Sequence, residues 1–186
     1  MSTTQPLEEA NTIFRMVLLA VTPDQLGQPT PCKSFTVTQL VNHTIGTHSM
    51  IIDALRDKPF NAEPIDVAAD AAVATFDGAA ADALAELRRD GAMDKTVTLP
   101  FGTFTGAELM GMGSLDTFQH AWDLATATGQ NTDLAPELAT ALQALAEAHM
   151  EHAPRGDEPA PYAPEQFAPA GAPAADHLAA FLGRSV

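Results

Sequence analysis

The stretch TGAELMGMGSLDTFQHAWDLATATG, Thr105–Gly129, reads as one long helix, and the rest of the chain is organised around it. Thr105 with Glu108 three residues on forms a capping box, in which the two side chains cover free backbone N–H groups at a helix start. Gly129 supplies the stop, because glycine adopts the left-handed conformation that ends helices without a steric penalty. Inside the stretch, Asp116 and His120 stand four residues apart, so both lie on one helix face with Cβ atoms about 5–6 Å apart. Two donors so placed can converge on one ion at the ~2.0–2.2 Å that a divalent metal requires. A hydrogen bond across the helix surface satisfies the same spacing.

Working outward, Lys95–Thr105 (KTVTLPFGTFT) breaks the helical pattern. Its Thr, Val, Leu and Phe content around Pro100-Phe101-Gly102 predicts two short extended pieces joined by a turn. Upstream, apolar residues at Leu7, Ala10, Ile13, Phe14, Val17, Leu18 and Val21 repeat at three and four, which predicts a first helix ended by Pro23 and the Gly27–Pro31 region. A second helix begins near Thr36–Thr38, turns Leu40, Val41, Ile45, Ile51, Ile52 and Leu55 inward, and ends before Lys58-Pro59. The alanine-rich run Asp66–Arg89 predicts a third, with Ala71, Ala74, Ala83, Leu84 and Leu87 as its face and Gly91 as its stop. Downstream, a helix is expected from Pro136 through Leu138, Leu142, Leu145 and His149 to Pro154. A proline-rich stretch to Pro173 and a short amphipathic helix, Ala174–Leu182, follow. The expectation is an all-α fold: a four-helix bundle with a small hairpin before the fourth helix and extra C-terminal helices. Residues 1–153 form the bundle, and 154–186 pack on the same domain.

The 186 residues are one domain's worth, and with 46% hydrophobic and 18% charged residues and a mean hydropathy of -0.01 they can build a core. Nine Lys and Arg against 24 Asp and Glu leave a net charge of -15, which repels phosphate backbones and anionic membranes, so neither is expected as a partner. A single cysteine, Cys32, excludes an intrachain disulfide and fits a reducing compartment. The first residues carry neither a basic nor an apolar targeting region, and no run approaches ~18 apolar residues, so a cytoplasmic protein is expected. A homodimer is compatible with these properties.

Six histidines are available to join Asp116. His43 lies on the stripe Leu40, His43, Thr47, Met50, beside the apolar face of the second helix, and so points into the bundle. It is either a third metal ligand or a core histidine satisfied by a neighbour. Two histidines and one carboxylate would leave positions open, the arrangement of a catalytic rather than a structural site. His48, five residues after His43, is about 140° round the helix and does not share the ion. His149 and His152 read as surface residues near a helix C-terminus, where a cation meets the dipole favourably. Asp123 is either a partner that orients a ligand histidine or an exposed helix carboxylate. Cys32 reads as a small buried hydrophobe, with a place near the ion as the other reading.

TPCKSFTVTQLVNHTIG (Thr30–Gly46) resembles the segment that opens the second helix in the DinB-like metalloprotein superfamily. The similarity is to the actinobacterial branch that includes the metal-binding domain of mycothiol-dependent maleylpyruvate isomerase. VTLPFGTFTGAEL (Val97–Leu109), LDTFQHAWDLATATGQ (Leu115–Gln130) and PAGAPAADHLAAFLGR (Pro169–Arg184) resemble that branch in the same order. The resemblance implies a DinB-like four-helix bundle in which His43, Asp116 and His120 hold a divalent ion. Zn, Ni, Mn and Fe all accept such donors, with Zn or Ni the first choices. It further implies a metal-dependent enzyme acting on a small molecule, with mycothiol the candidate thiol cofactor and thiol-dependent transfer or isomerisation the candidate chemistry. The alternative is a non-catalytic metal-binding or dimerisation bundle. Relatives usually carry Trp where this chain has Phe35, a difference of packing. The isomerase also has a larger C-terminal domain than the proline-rich stretch and short helix found here.

Overall fold

A computed structural model describes residues 3–150, 155–156 and 162–186. It contains six helices and one hairpin among those residues: α1 (Gln5–Leu19), α2 (Val37–Leu55), α3 (Ala72–Leu87), β1 (Thr96–Leu99), β2 (Gly102–Thr105), α4 (Gly106–Ala127), α5 (Pro136–Met150) and α6 (Ala174–Phe181). The expected helical bundle with a hairpin before its fourth helix is what forms. Helix α1 packs on α4 and α3, and α2 packs on the same two, which closes a four-helix bundle. Helices α5 and α6 pack on each other and on α4, so α4 is covered on both sides.

Local sequence explains where these elements begin. Thr36 and Thr105 each accept a bond from the backbone N–H three residues later, and the Gln39 and Glu108 side chains reach back to the caps, which fixes the first turns of α2 and α4. The hairpin pairs Val97 with Phe104 and Thr98 with Thr103. Its alternation buries Val97 and Leu99 beside Ala54 and Leu109 and leaves Thr96 and Thr98 outside. Gly106 opens α4 so close to the preceding chain that a Cβ there would run into the Ala92 carbonyl oxygen, so only glycine lets the connection reach the helix.

The core centres on Phe14, Phe76 and Phe118 with Leu40, Ile45 and Leu124. Phe14 and Phe76 meet with ring centroids 4.7 Å apart, joining α1 to α3. Helix α3 departs from the sequence expectation. Residues 66–68 lack regular structure, Ala69–Ala71 form a 3-10 turn, and the α-helix starts at Ala72. Its buried face is Ala72, Phe76, Ala80, Ala83 and Leu87, whereas Ala74 is exposed and Ala71 and Leu84 are half-buried. Alanines occur all round this helix, so their spacing carries little information; the large side chains Phe76 and Leu87, both fully buried, set the orientation. Ile52, expected inside, is half-buried, as is Leu145 on α5. The expected end of α5 at Pro154, the 153/154 boundary and His152 all lie outside the described residues. Among the described residues, no helix is long and apolar enough to cross a membrane.

Candidate metal centre

Two helices place the three candidate side chains. His43 stands in the second turn of α2, Asp116 and His120 in the middle of α4, and one donor atom from each lies within 4.8 Å of the other two. Asp116 Oδ1 is the common point, 3.3 Å from His43 Nε2 and 3.4 Å from His120 Nε2. Its other oxygen accepts a bond of 2.9 Å from the Thr47 hydroxyl, one turn beyond His43 on α2. Thr47 thus holds the carboxylate in the orientation that presents Oδ1 to both imidazoles. Both rings also meet Phe35, whose face stacks on His43 at 4.8 Å between centroids and whose edge approaches His120 at 6.0 Å. Phe35 packs, as expected, but it packs as a wall of the site.

The far side of His120 is as well ordered. Its Nδ1 donates to Asp123 Oδ2 at 3.0 Å, and Asp123 is fully buried rather than exposed on the helix surface. Asp123 also receives both arms of the Arg184 guanidinium, Nε to Oδ1 at 3.1 Å and Nη2 to Oδ2 at 3.0 Å. Arg184 reaches it because α6 ends in a Schellman motif: the Gly183 N–H bonds the Ala180 carbonyl and the Arg184 N–H bonds the Ala179 carbonyl. Gly183 is required there twice over, by its φ of +91° and by the Ala163 carbonyl oxygen, which would lie 2.7 Å from a Cβ. The run from Asp116 through His120 and Asp123 to Arg184 alternates acid and base at hydrogen-bonding or ion-pair distance.

These charges set the protonation states. Burial disfavours charge on His120, but Asp116 beside one nitrogen and Asp123 beside the other outweigh it and push the pKa up to about 9. Burial likewise opposes charge on Asp116, and is overcome by His120 and His43, which hold the carboxyl well below its usual range. Burial of Asp123 is overcome by its bond from His120 and the charge of Arg184, so it too is held down. In the metal-free protein His120 is therefore an imidazolium between two carboxylates.

The remaining candidates separate cleanly. His48 is fully buried but faces away, with Nδ1 2.8 Å from the Thr44 carbonyl and Nε2 2.8 Å from the Asn11 side-chain amide, and it serves the contact between α1 and α2. His149 is exposed and bonds the Leu145 carbonyl. Cys32 is half-buried, and its Sγ lies within 4.8 Å of donor atoms of His120 and Asp123, which places it beside the centre. Burial pushes its thiol pKa up, so it is neutral there. Sequence reasoning missed Arg184 and the clamping role of Thr47. The signals for Arg184 are its place at the end of the Pro169–Arg184 motif and a lone cation on an otherwise uncharged helix tail; for Thr47 the signal is membership of the His43 stripe.

Comparison with known proteins gives the family and the fold. The family model for the mycothiol maleylpyruvate isomerase N-terminal domain matches residues 7–125. An uncharacterised protein of Mycobacterium tuberculosis, found in strains CDC 1551 / Oshkosh and H37Rv, is 40% identical over 181 residues, 96% of either chain. Among solved structures, the crystal structure of the mycothiol-dependent maleylpyruvate isomerase superposes with a TM-score of 0.63 at 17% identity, covering 77% of this chain and 68% of that one. A mutant of the same enzyme superposes with a TM-score of 0.61 at the same identity. At that identity these two show a shared fold. From the match over most of its length and the mycobacterial relative along nearly all of it, the chain belongs to the mycothiol maleylpyruvate isomerase N-terminal domain family, with its DinB-like helical fold.

Proposed function

We propose that this protein is a metal-dependent enzyme of small-molecule chemistry, holding one divalent ion through His43 Nε2, Asp116 and His120 Nε2. The observation that carries the reading is the donor spacing. Two ligands each about 2.1 Å from one ion at a tetrahedral angle stand roughly 3.4 Å apart, and the two nitrogens here stand 3.3 and 3.4 Å from Asp116 Oδ1. Those separations are long for N–H···O hydrogen bonds, which cluster near ~2.9–3.0 Å, and suit donors arranged round a shared cation. The His120 ring fits a ligand role as well, because its Nδ1 is tied to a carboxylate and its Nε2 faces the other two donors.

Three protein donors leave a coordination position free, and solvent reaches the site past His43 and Asp116, whose side chains are 38% and 29% exposed. A bound divalent ion supplies Lewis acidity that lowers the pKa of a thiol or water. Thr47 keeps Asp116 aligned, Phe35 fixes both imidazole planes and excludes water from one side, and Asp123 keeps the proton of His120 on Nδ1. Zn or Ni suits two imidazoles and a carboxylate. Thiol-dependent transfer or isomerisation, with mycothiol as the first thiol to try, follows from the family, and the setting is the cytoplasm.

Substituting Co(II) and titrating with mycothiol, with cysteine as the control, tests the proposal. A thiol that enters the open position should add a sulfur-to-metal absorption band, absent in His120→Ala. A Co(II) spectrum unmoved by either thiol would remove the thiol chemistry and leave chemistry at a metal-bound water, which needs its own substrate screen.

A further inference from the structure

We infer that Arg184, from the tail of α6, is a positioning residue for the metal centre, acting through Asp123 on the ligand nitrogen of His120. The inference rests on the metal reading above and adds to it a requirement for the C-terminal segment, which lies outside the 7–125 match to the family.

Asp123 is fully buried and would be a poor place for an isolated negative charge. Its two oxygens are taken by the planar guanidinium of Arg184, whose fork matches a carboxylate in two parallel bonds and so fixes the carboxylate plane. Oδ2 then has one remaining direction, and the His120 Nδ1–H fills it. A proton fixed on Nδ1 obliges the lone pair of the neutral ring to sit on Nε2, the nitrogen that faces Asp116 and His43. Arg184 is itself held at the backbone, by the bond from its N–H to the Ala179 carbonyl, and by Nη1 on the Leu182 carbonyl at 3.2 Å. Its side chain is only 12% exposed, so it is built into the fold. Helix α6 is tied to α4 a second time, through the Trp122 indole N–H on Asp176 at 2.7 Å, next to Asp123 in sequence. The last helix therefore orders the ring that would bind the ion without supplying one of the three donors.

The test is a double-mutant cycle on Zn(II) affinity, with Co(II) spectra alongside. Arg184→Ala should weaken binding about 10–100-fold, the range for loss of a partner that orients a ligand histidine. Arg184→Lys should recover part of the loss, and added guanidinium ion should recover part of it in Arg184→Ala. In an Asp123→Asn background, Arg184→Ala should have little further effect, because the arginine acts through that carboxylate. Affinities within twofold of the parent for both Arg184 variants would overturn the inference, and so would additive losses in the cycle. Should Arg184→Ala fail to fold, nitrogen NMR of His120 in the unsubstituted Zn(II) protein decides: Nδ1 protonated and Nε2 ligated is expected, and ligation through Nδ1 overturns it. Absence of metal binding in the parent protein would instead refute the proposed function, and the inference with it.

Discussion

Adding a divalent ion to the metal-free protein should expel a proton from His120, and the amount follows from the geometry. The imidazolium donates from Nδ1 to Asp123 and pairs through Nε2 with the Asp116 carboxylate at 3.4 Å, so an incoming ion competes with the Nε2 proton for one lone pair. With a pKa of about 9, this ring is about 0.99 protonated at pH 7 and about 0.9 protonated at pH 8. A histidine at the ordinary value of about 6.5 would be only about 0.03 protonated at pH 8. Binding at pH 8 should therefore release about 0.9 proton from His120, and Asp116, ionised throughout, contributes none. Affinity should rise about tenfold from pH 7 to 8 and about fivefold more from 8 to 9, about 50-fold or about 2.3 kcal/mol in all. Calorimetry of Zn(II) binding in two buffers of different ionisation enthalpy reads the proton count directly. Release should shrink again above pH 9, whereas ionisation of solvent at the ion would grow with pH. A release near zero at pH 8, or one that keeps rising through pH 9.5, would refute this account of His120.

Other consequences are simpler to measure. Gly183→Ala forces a Cβ against the Ala163 carbonyl at a left-handed φ, and should cost about 1–3 kcal/mol in denaturant unfolding and weaken Zn(II) binding by misplacing Arg184; unchanged stability and affinity would contradict it. Phe14→Ala empties the junction of α1 and α3 and should lower stability by about 3–5 kcal/mol while one ion still binds per chain, because packing rather than metal supports the bundle. Burial lowers the His48 pKa, so below about pH 6.5 the unfolded chain takes up a proton that the fold refuses. The stability His48 lends is full above that pH and lost as pH falls towards the lower folded value. Melting of metal-free protein between pH 7.5 and 5.5 should show a smaller acid loss in His48→Gln, and an equal loss would exclude His48 as the cause.

Much of this arrangement is legible in the sequence for identifiable reasons. The capping boxes at Thr36 and Thr105 announce α2 and α4, and one-turn spacing puts Asp116 and His120 side by side whatever the tertiary fold. Bringing His43 to Asp116 needs two helices, 73 residues apart in sequence, to meet at the right height, which the motif order suggested and periodicity alone did not. In helix α3 alanine is small enough for either a buried or an exposed face, so the repeat lacks contrast and does not reveal that Ala74 is exposed. Arg184 was illegible for another reason. Its partner lies 61 residues away, and the contact depends on how the chain leaves α6 at Gly183, a backbone event that a pattern of apolar residues does not encode. The burial of Asp123 was hidden for the same reason, since α6 and its arginine cover it.

Whether α2 and α4 jointly hold one divalent ion is read by elemental analysis of protein purified without a histidine tag, reconstituted with Zn(II) or Ni(II) and dialysed, beside His43→Ala and His120→Ala treated alike. One ion per chain is expected in the parent and near none in either variant, with helical circular dichroism preserved in all three. Full metal content in both variants, or none in a folded parent given either ion, would contradict a site shared by the two helices.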